Sequence, residues 1–273
     1  MIPAAFDYVR AESIDAATAA LTEHGDDAKL LAGGMSLLPL MKLRLAVPAV
    51  VVDVGRLDDL RYVRDAGDHV AIGALSRHRD LETDAVLAAE CGVVHAVAAE
   101  VGDNQVRHRG TIGGSIAHGH PASDLPAVLL ALDADFVLRG PAGERTVGAS
   151  EFFTGFLETA LAPDELLTEI RVPKTGSGGF AYEKFNRRAQ DWAIVGAVAL
   201  RAAGTTRVAL VNMGATSLRA RAVEAALAGG APPAEAAQAA AEDTEPLSDV
   251  GGTAEYREHL ARVLTRRALE TIS

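Results

Sequence analysis

About two-thirds of the way along the chain, the seven residues Pro173-Lys174-Thr175-Gly176-Ser177-Gly178-Gly179 separate two stretches of different pattern. So dense a run of proline, serine and glycine breaks regular structure and is typical of a linker or long turn. Before it, strand-like apolar runs alternate with helix-like segments, whereas after it strand-like runs come first and helices follow. We therefore expect two domains, residues 1–175 and 178–273, in a fold of the α+β class.

The first domain is expected to divide into two α/β lobes, residues 1–57 and 58–175. Ser13 is expected to cap an alanine-rich helix that ends at Gly25. The apolar run 50–54 is typical of a buried strand, and the turn residues 65–68 predict a β-hairpin that opens the second lobe. Further elements are predicted as a strand at 28–32, a helix at 35–45, helices over about 80–101, an interrupting polar stretch at 102–110, a helix at 124–132 capped by Ser123, and strands at 134–138 and 165–172.

In the second domain, apolar runs rich in valine, alanine and aromatic residues precede alanine-rich segments. The runs predict three antiparallel strands, and the alanine-rich segments predict helices. The strands are expected at 180–185, 193–201 and 207–213, and the helices at about 217–228, 233–242 and 253–272.

Composition narrows the classes of function. The chain carries 26 Lys and Arg against 37 Asp and Glu, a net charge of −11 that would repel a phosphate backbone, so no nucleic-acid partner is expected. The N-terminal residues lack the pattern of a signal peptide, and no apolar run is long enough to span a membrane, which leads us to expect a cytoplasmic location. The single cysteine, Cys91, excludes an internal disulfide and an iron–sulfur cluster held by this chain alone, and its apolar surroundings indicate a buried structural residue.

Two double-glycine motifs, Ala32-Gly33-Gly34-Met35-Ser36 and Thr111-Ile112-Gly113-Gly114-Ser115, each join an apolar segment to a helix-like one. Glycine lets consecutive amide N–H groups turn toward an anion, and a helix N-terminus adds partial positive charge. Two such nests suit the pyrophosphate of a dinucleotide cofactor. The alternative is that these glycines form plain turns, as we expect for the pairs 178–179, 229–230 and 251–252.

Other chemical motifs are weak or missing from the sequence. No G-x-G-x-x-G follows a strand, and neither a phosphate-binding G-x-x-x-x-G-K-[ST] loop nor a G-x-S-x-G nucleophile elbow occurs. His118 and His120 would face one way on a strand, but no third metal ligand stands near them in sequence. We therefore assign no catalytic residue and no metal ligand.

Several ordered motifs carry a resemblance to a known family. In addition to the two double-glycine motifs, they are Leu37 to Leu45, Pro121-Ala122-Ser123-Asp124-Leu125-Pro126, Glu165 to Pro173 and Tyr256 to Leu264. Together they closely resemble the FAD-binding medium subunits of molybdenum hydroxylases, of which carbon monoxide dehydrogenase is the best-known type and xanthine dehydrogenase a more distant, fused relative. The resemblance covers the whole chain.

This resemblance implies a two-lobed FAD-binding domain of the vanillyl-alcohol-oxidase type, followed by a smaller α+β domain of the carbon monoxide dehydrogenase flavoprotein type. The two double-glycine motifs would hold the pyrophosphate, Asp124 would accept a hydrogen bond from a ribityl or ribose hydroxyl, and Leu167 would line the pocket. Lys184 and Trp192 would reach the isoalloxazine from the second domain. The implied cofactor-binding residues are Ala32, Gly33, Gly34, Met35, Ser36, Thr111, Ile112, Gly113, Gly114, Ser115, Asp124, Leu167, Lys184 and Trp192.

Each of the last three side chains has a plain structural alternative. Asp124 could be a helix N-terminal acid, Lys184 a solvated strand residue and Trp192 part of the core. The sequence also departs from the family pattern at Met35 and Ser115, where relatives often carry polar residues and Asn or Asp respectively. No histidine or cysteine lies in the first motif, so we expect non-covalent FAD.

The function implied is that of an FAD-dependent oxidoreductase subunit in a cytoplasmic, heteromeric molybdenum hydroxylase. It would pass electrons from [2Fe–2S] clusters on a small partner chain to a terminal acceptor, while molybdopterin would lie on a large partner chain, in a dimer of heterotrimers. The alternatives are a stand-alone flavin-dependent oxidase or dehydrogenase of the same fold, and a flavin-free scaffold subunit. The substrate of the whole enzyme, the terminal acceptor and the roles of His118 and His120 stay open at this point.

Overall fold

A three-stranded parallel sheet forms the N-terminal lobe of the computed structural model, which describes residues 2–202 and 204–273. Its strands are β1 (Asp7–Arg10), β2 (Ala28–Leu31) and β3 (Val50–Asp53), in the order β1-β3-β2. The central β3 is fully buried at Val51 and Val52, as its continuous apolar run predicted.

Two helices accompany this sheet, α1 (Ile14–His24) and α2 (Leu37–Leu43). The predicted caps of α1 are confirmed: Ser13 Oγ accepts from the Ala16 N–H at 3.0 Å, and Gly25 ends the helix with a φ of +53°. Helix α2 begins two residues later than predicted, and it ends at Leu43 because Arg44 adopts the left-handed conformation and stops it.

The second lobe contains a five-stranded antiparallel sheet in the order β4-β5-β10-β6-β7. The predicted hairpin is confirmed, since β4 and β5 pair with Val63 opposite Ile72. A two-stranded sheet, β8-β9, lies beside it. The strands of this lobe are β4 (Val63–Asp65), β5 (His69–Gly73), β6 (Asp135–Gly140), β7 (Gly143–Gly148), β8 (Phe153–Gly155), β9 (Glu158–Thr159) and β10 (Leu166–Pro173).

Helices fill one side of this lobe, and three details differ from the prediction. The polar stretch 102–110 contains a helix, α6, because the Asp103 carboxylate accepts from the Val106 N–H at 2.9 Å and caps it. The second glycine pair, expected to lead into a helix-like segment, lies inside the first turn of α7. Ser123 precedes α8, but its side chain makes no capping hydrogen bond. The helices are α3 (His78–Thr83), α4 (Ala85–Glu90), α5 (Gly92–Ala99), α6 (Asn104–Arg109), α7 (Ile112–His118), α8 (Asp124–Leu132) and α9 (Ala149–Phe152).

The C-terminal part is a four-stranded antiparallel sheet, β11-β12-β13-β14, covered by helices. The predicted helix at 217–228 begins only at Arg221, because residues 218–219 form a short strand that pairs with β13. The segment 233–242 starts as an α-helix and continues as a 3-10 helix. The elements are β11 (Phe180–Phe185), β12 (Val195–Ala202), β13 (Thr205–Val211), β14 (Leu218–Arg219), α10 (Arg221–Ala228), α11 (Pro233–Ala236) and α12 (Ala254–Ile272).

One hydrophobic cluster extends across both parts of the chain and includes Leu129 of the first part and Val198 and Val211 of the second. Helix α8, buried along its whole length, packs against β12 and β13. The segment 173–179 is held as well, since the Thr175 and Gly176 amides donate to the Glu90 carbonyl at 2.9 and 3.0 Å. This segment is therefore a fixed long turn between two packed units, and the predicted α+β class is confirmed. None of the helices within residues 2–202 and 204–273 combines the length and apolarity needed to cross a membrane.

Candidate cofactor site

A cavity of about 620 Å³ lies where the two lobes and the C-terminal sheet meet. Ligand pockets in proteins commonly measure about 300–1,000 Å³. All but one of the predicted cofactor-binding residues line it, namely Ala32, Gly33, Gly34, Met35, Ser36, Thr111, Gly113, Gly114, Ser115, Asp124, Leu167, Lys184 and Trp192. The exception is Ile112, whose side chain is fully buried in the core of the second lobe.

The first glycine motif approaches the second lobe closely. A Cβ on Gly33 would stand 2.1 Å from the Arg109 carbonyl oxygen, and Gly34 has a φ of +74°, so both positions suit glycine. In the described part of the chain, the amide N–H groups of Gly33, Gly34, Met35 and Ser36 donate no hydrogen bond to protein. These four donors at the cavity wall fit the pyrophosphate of a dinucleotide.

The second glycine motif is built differently from the prediction. The Ile112 and Gly113 amides donate to the carbonyls of Ser76 and Ala74, while those of Gly114 and Ser115 donate to the Thr111 hydroxyl and carbonyl. The motif therefore offers no second nest of unpaired N–H groups, because pairing with residues 74–76 and capping by Thr111 already use them. The motif instead contributes a stretch of cavity wall that has no side chains at Gly113 and Gly114 and is flanked by the hydroxyl groups of Thr111 and Ser115.

Elsewhere on the cavity wall, Asp124 in the first turn of α8 contacts two residues of β11. Its Oδ1 accepts from the Tyr182 hydroxyl at 2.5 Å, and its Oδ2 pairs with Lys184 Nζ at 3.0 Å. Lys184 Nζ also donates to the Glu100 carbonyl at 3.0 Å. Both members of the ion pair are buried, with side-chain exposures of 7% for Asp124 and 6% for Lys184. The solvated alternative for Lys184 is therefore wrong, and Asp124 is more than a helix N-terminal acid.

Burial dominates the electrostatics of this cluster. It raises the pKa of Asp124, against the opposing effect of Lys184, and it raises the pKa of Tyr182 well above its ordinary value. Because the Lys184 ammonium already faces a carboxylate, much of its positive charge is balanced locally. An ionised carboxylate has about four acceptor positions, so Asp124 retains capacity to accept from a cofactor hydroxyl.

Trp192 stands at the mouth of the cavity and is 53% exposed, so it does not belong to the core. Its ring stacks on His120 with centroids 4.5 Å apart, and His120 meets Phe156 edge-on. His118 lines the cavity, and burial lowers the pKa values of both histidines. Within residues 2–202 and 204–273, no group of three or more metal-ligating side chains surrounds them.

Some residues at the cavity wall, or in direct contact with a residue of that wall, were not predicted. Tyr182 lies two residues before Lys184 on β11, so strand alternation could have placed the two on one face. Lys29 on β2 also lines the cavity, and the sequence could have suggested it because β2 leads directly into the first glycine motif. His78, at the start of α3, also lines the cavity, and nothing in its sequence context indicated this.

Comparison with known proteins agrees with this geometry. Residues 4–175 match the family described as the FAD binding domain in molybdopterin dehydrogenase, and residues 180–272 match the CO dehydrogenase flavoprotein C-terminal domain. The chain is 45% identical to the carbon monoxide dehydrogenase medium chain of Hydrogenophaga pseudoflava, over 98% of this chain and 97% of that one. It is 36% identical to the 6-hydroxypseudooxynicotine dehydrogenase complex subunit alpha of Paenarthrobacter nicotinovorans, over 98% and 95% of the two chains.

The fold is shared with a solved structure of carbon monoxide dehydrogenase from Hydrogenophaga pseudoflava that lacks the Mo-pyranopterin moiety of its cofactor. The two superpose with a TM-score of 0.96 at 44% identity, over 100% of this chain and 98% of the other. The match extends over both the two-lobed part and the C-terminal sheet. This chain is therefore a member of the family of FAD-binding medium subunits of carbon monoxide dehydrogenase-type molybdenum hydroxylases.

Proposed function

We propose that this chain is the FAD-carrying electron-transfer subunit of a heteromeric molybdenum hydroxylase, taking electrons from iron–sulfur clusters of a partner chain and delivering them to a terminal acceptor. The observation that carries the proposal is the cavity of about 620 Å³, whose wall includes both the unpaired amide donors of residues 33–36 and the buried Asp124–Lys184 pair. A long ligand with an anionic middle and hydroxyl groups suits such a wall.

Within the cavity, the amides of residues 33–36 would hold the pyrophosphate, and the side-chain-free wall at Gly113 and Gly114 would let it approach the backbone. Asp124 would accept from a hydroxyl of the ribityl or ribose groups. Leu167 and Trp192 would contact the rings, and Lys184 would keep Asp124 in place. When bound, FAD supplies a redox centre that can exchange electrons singly or in pairs. We also propose that it is held without a covalent bond, because no histidine or cysteine occurs in residues 32–36.

The need for partner chains follows from the cysteine count. The chain has one cysteine, Cys91, which is fully buried and whose pKa burial raises to about 11. Iron–sulfur clusters are held mainly by thiolates, so the clusters must lie on another chain. We propose a cysteine-rich small chain and a molybdopterin-binding large chain as partners, in a cytoplasmic dimer of heterotrimers, with domain boundaries in this chain at 1–57, 58–175 and 178–273.

The proposal is tested by isolating the tagged chain from its own cells. We expect FAD, iron and molybdenum to co-purify in one complex, and reduction of the clusters to bleach the flavin. Acid precipitation should leave the flavin in the supernatant. The isolated chain, loaded with FAD, should oxidise no hydroxylase substrate alone, although an artificial donor should reduce it. Turnover of an organic substrate by the single chain, or repeated purification without metal-containing chains, would favour a stand-alone flavoenzyme instead.

A further inference from the structure

One buried polar side chain at the cavity wall lacks a partner. His78, the first residue of α3, is 3% exposed and lines the cavity together with Gly33, Gly110 and Thr111. Its backbone amide donates to the Gly110 carbonyl at 3.1 Å, which fixes the residue against the segment that follows α6. Gly33 packs on the same segment, since a Cβ on Gly33 would lie 2.9 Å from the Gly110 Cα. His78 is thus held beside the first glycine motif.

The two ring nitrogens differ in surroundings. Nδ1 is sealed from solvent and has no hydrogen-bond partner among residues 2–202 and 204–273. Nε2 likewise makes no hydrogen bond within that part of the chain. It lies beside Gly110, since a Cβ added to Gly110 would stand 3.3 Å from it. Gly110 itself borders the cavity, so the Nε2 edge is the edge of the ring nearest to the open space.

The ring is neutral at ordinary pH. Burial lowers the pKa of His78 to about 4, and the nearby Arg107 guanidinium acts in the same direction. A neutral imidazole carries one N–H, on either nitrogen. Buried N–H donors without an acceptor are rarer in proteins than buried acceptors without a donor. The proton therefore belongs on Nε2, which leaves Nδ1 as an unpaired acceptor and directs a donor toward the cavity.

We propose that His78 is a cofactor-binding residue whose Nε2–H donates a hydrogen bond to an oxygen in the pyrophosphate half of FAD. The inference rests on the proposed placement of FAD in this cavity. Its position beside the unpaired amides of residues 33–36 makes a phosphate oxygen the acceptor of matching chemistry. A neutral ring donates a directed hydrogen bond to that oxygen, and it adds no further charge to a buried site that already receives the charged pyrophosphate.

The test compares the wild type with His78→Phe, which keeps a flat ring without nitrogen, and with His78→Gln, which keeps an N–H donor. FAD affinity of each apoprotein is measured by quenching of flavin fluorescence, with thermal unfolding of the flavin-free chains as the control for folding. We expect His78→Phe to weaken FAD binding about ten- to a hundredfold, the usual range for a hydrogen bond to a charged acceptor. His78→Gln should recover much of that loss.

The flavin-free His78→Phe chain should unfold at the same temperature as wild type or higher, because a buried nitrogen without a partner is removed. If His78→Phe folds and binds FAD as tightly as wild type, the histidine is a packing residue and the inference is wrong. The inference is also wrong if FAD affinity falls equally in His78→Phe and His78→Gln. Neither outcome depends on partner chains or electron flow, so failure here is distinguishable from failure of the electron-transfer proposal.

Discussion

Lys184 of β11 and Asp124 of α8 form an ion pair at 3.0 Å across the boundary between the C-terminal sheet and the second lobe, with both side chains more than nine-tenths buried. Tyr182 completes the contact from the same strand. Removing charges from water is costly, and such a pair persists only where its remaining hydrogen bonds are satisfied. The pair therefore fixes the position of the one carboxylate that we place against the cofactor, and it links cofactor binding to the packing of the two domains.

Replacement of this carboxylate should have two separable effects. Asp124→Ala should lower the free energy of unfolding by about 3–5 kcal/mol, because Lys184 would stay buried without a counter-charge. It should also weaken FAD binding by roughly 1–3 kcal/mol through loss of a charge-assisted acceptor. Urea unfolding of the flavin-free chain and flavin titration measure the two effects.

The matched control is Asp84→Ala, since Asp84 caps α4 through the Leu87 amide and does not line the cavity. It should cost about 1 kcal/mol of stability and leave FAD affinity unchanged. An Asp124 variant with the FAD affinity of the wild type would remove the carboxylate from the binding site.

The side-chain-free wall at the second glycine motif should tolerate no side chain. A Cβ on Gly114 would stand 2.8 Å from Thr111 Oγ1, the cap of α7, and would project at the cavity surface. Gly114→Val should therefore abolish stoichiometric FAD binding while the chain remains folded, as judged by far-UV circular dichroism. Gly178→Val is the control, because nothing lies within 4 Å of a Cβ there. Full flavin occupancy in Gly114→Val would contradict the assignment.

His78 predicts a pH dependence of stability. Its pKa falls from 6.5 to about 4 on folding, so between these values the unfolded chain binds more protons at this site than the folded chain. The free energy of unfolding should therefore be highest above pH 6.5 and decrease as the pH falls toward 4, by about 3 kcal/mol from this residue. Flavin-free His78→Phe should lack that part of the slope. Parallel pH profiles for the two chains would refute the buried neutral state.

Trp192 is the only tryptophan of the sequence and lines the cavity mouth, so its emission reports on the site alone. Addition of FAD to the flavin-free chain should quench this emission as the rings come together. Trp192→Ala should weaken FAD binding by roughly 0.5–1.5 kcal/mol, the scale of one aromatic pair, and Trp192→Phe should retain most of the affinity. Emission that is unchanged at saturating FAD would place Trp192 away from the cofactor.

The sequence predicted helices and strands correctly where neighbouring residues alone determine where an element begins and ends or whether it is buried. Ser13 and Gly25 bound α1 because capping depends on neighbouring residues, and β3 is buried because its run is apolar throughout. The prediction was wrong over 102–110, where the side chain of Asp103 initiates a helix in a stretch that composition alone assigns to a loop.

The sequence predicted which positions line the cavity, but it did not predict the hydrogen bonds and ion pairs that those residues make. Sequence spacing could not show that the Gly113 amide is already used by Ala74, which lies 39 residues earlier, nor that Asp124 meets Tyr182 from the other domain. These are long-range contacts, which depend on how the sheets and helices pack. The buried, unpartnered state of His78 belongs to the same class.

The fully buried Cys91 lies at the junction of α4 and α5, directly beneath the 173–179 segment. The Gly92 amide donates to the Gly176 carbonyl at 2.9 Å, and the Thr175 hydroxyl rests 3.9 Å from the Cys91 sulfur. A thiol reagent attacks only an accessible thiolate, and burial keeps this group protonated. Labelling of the native chain at neutral pH therefore requires this region to open, so the rate of alkylation at Cys91 measures how often the contact between the 173–179 segment and the α4–α5 junction opens.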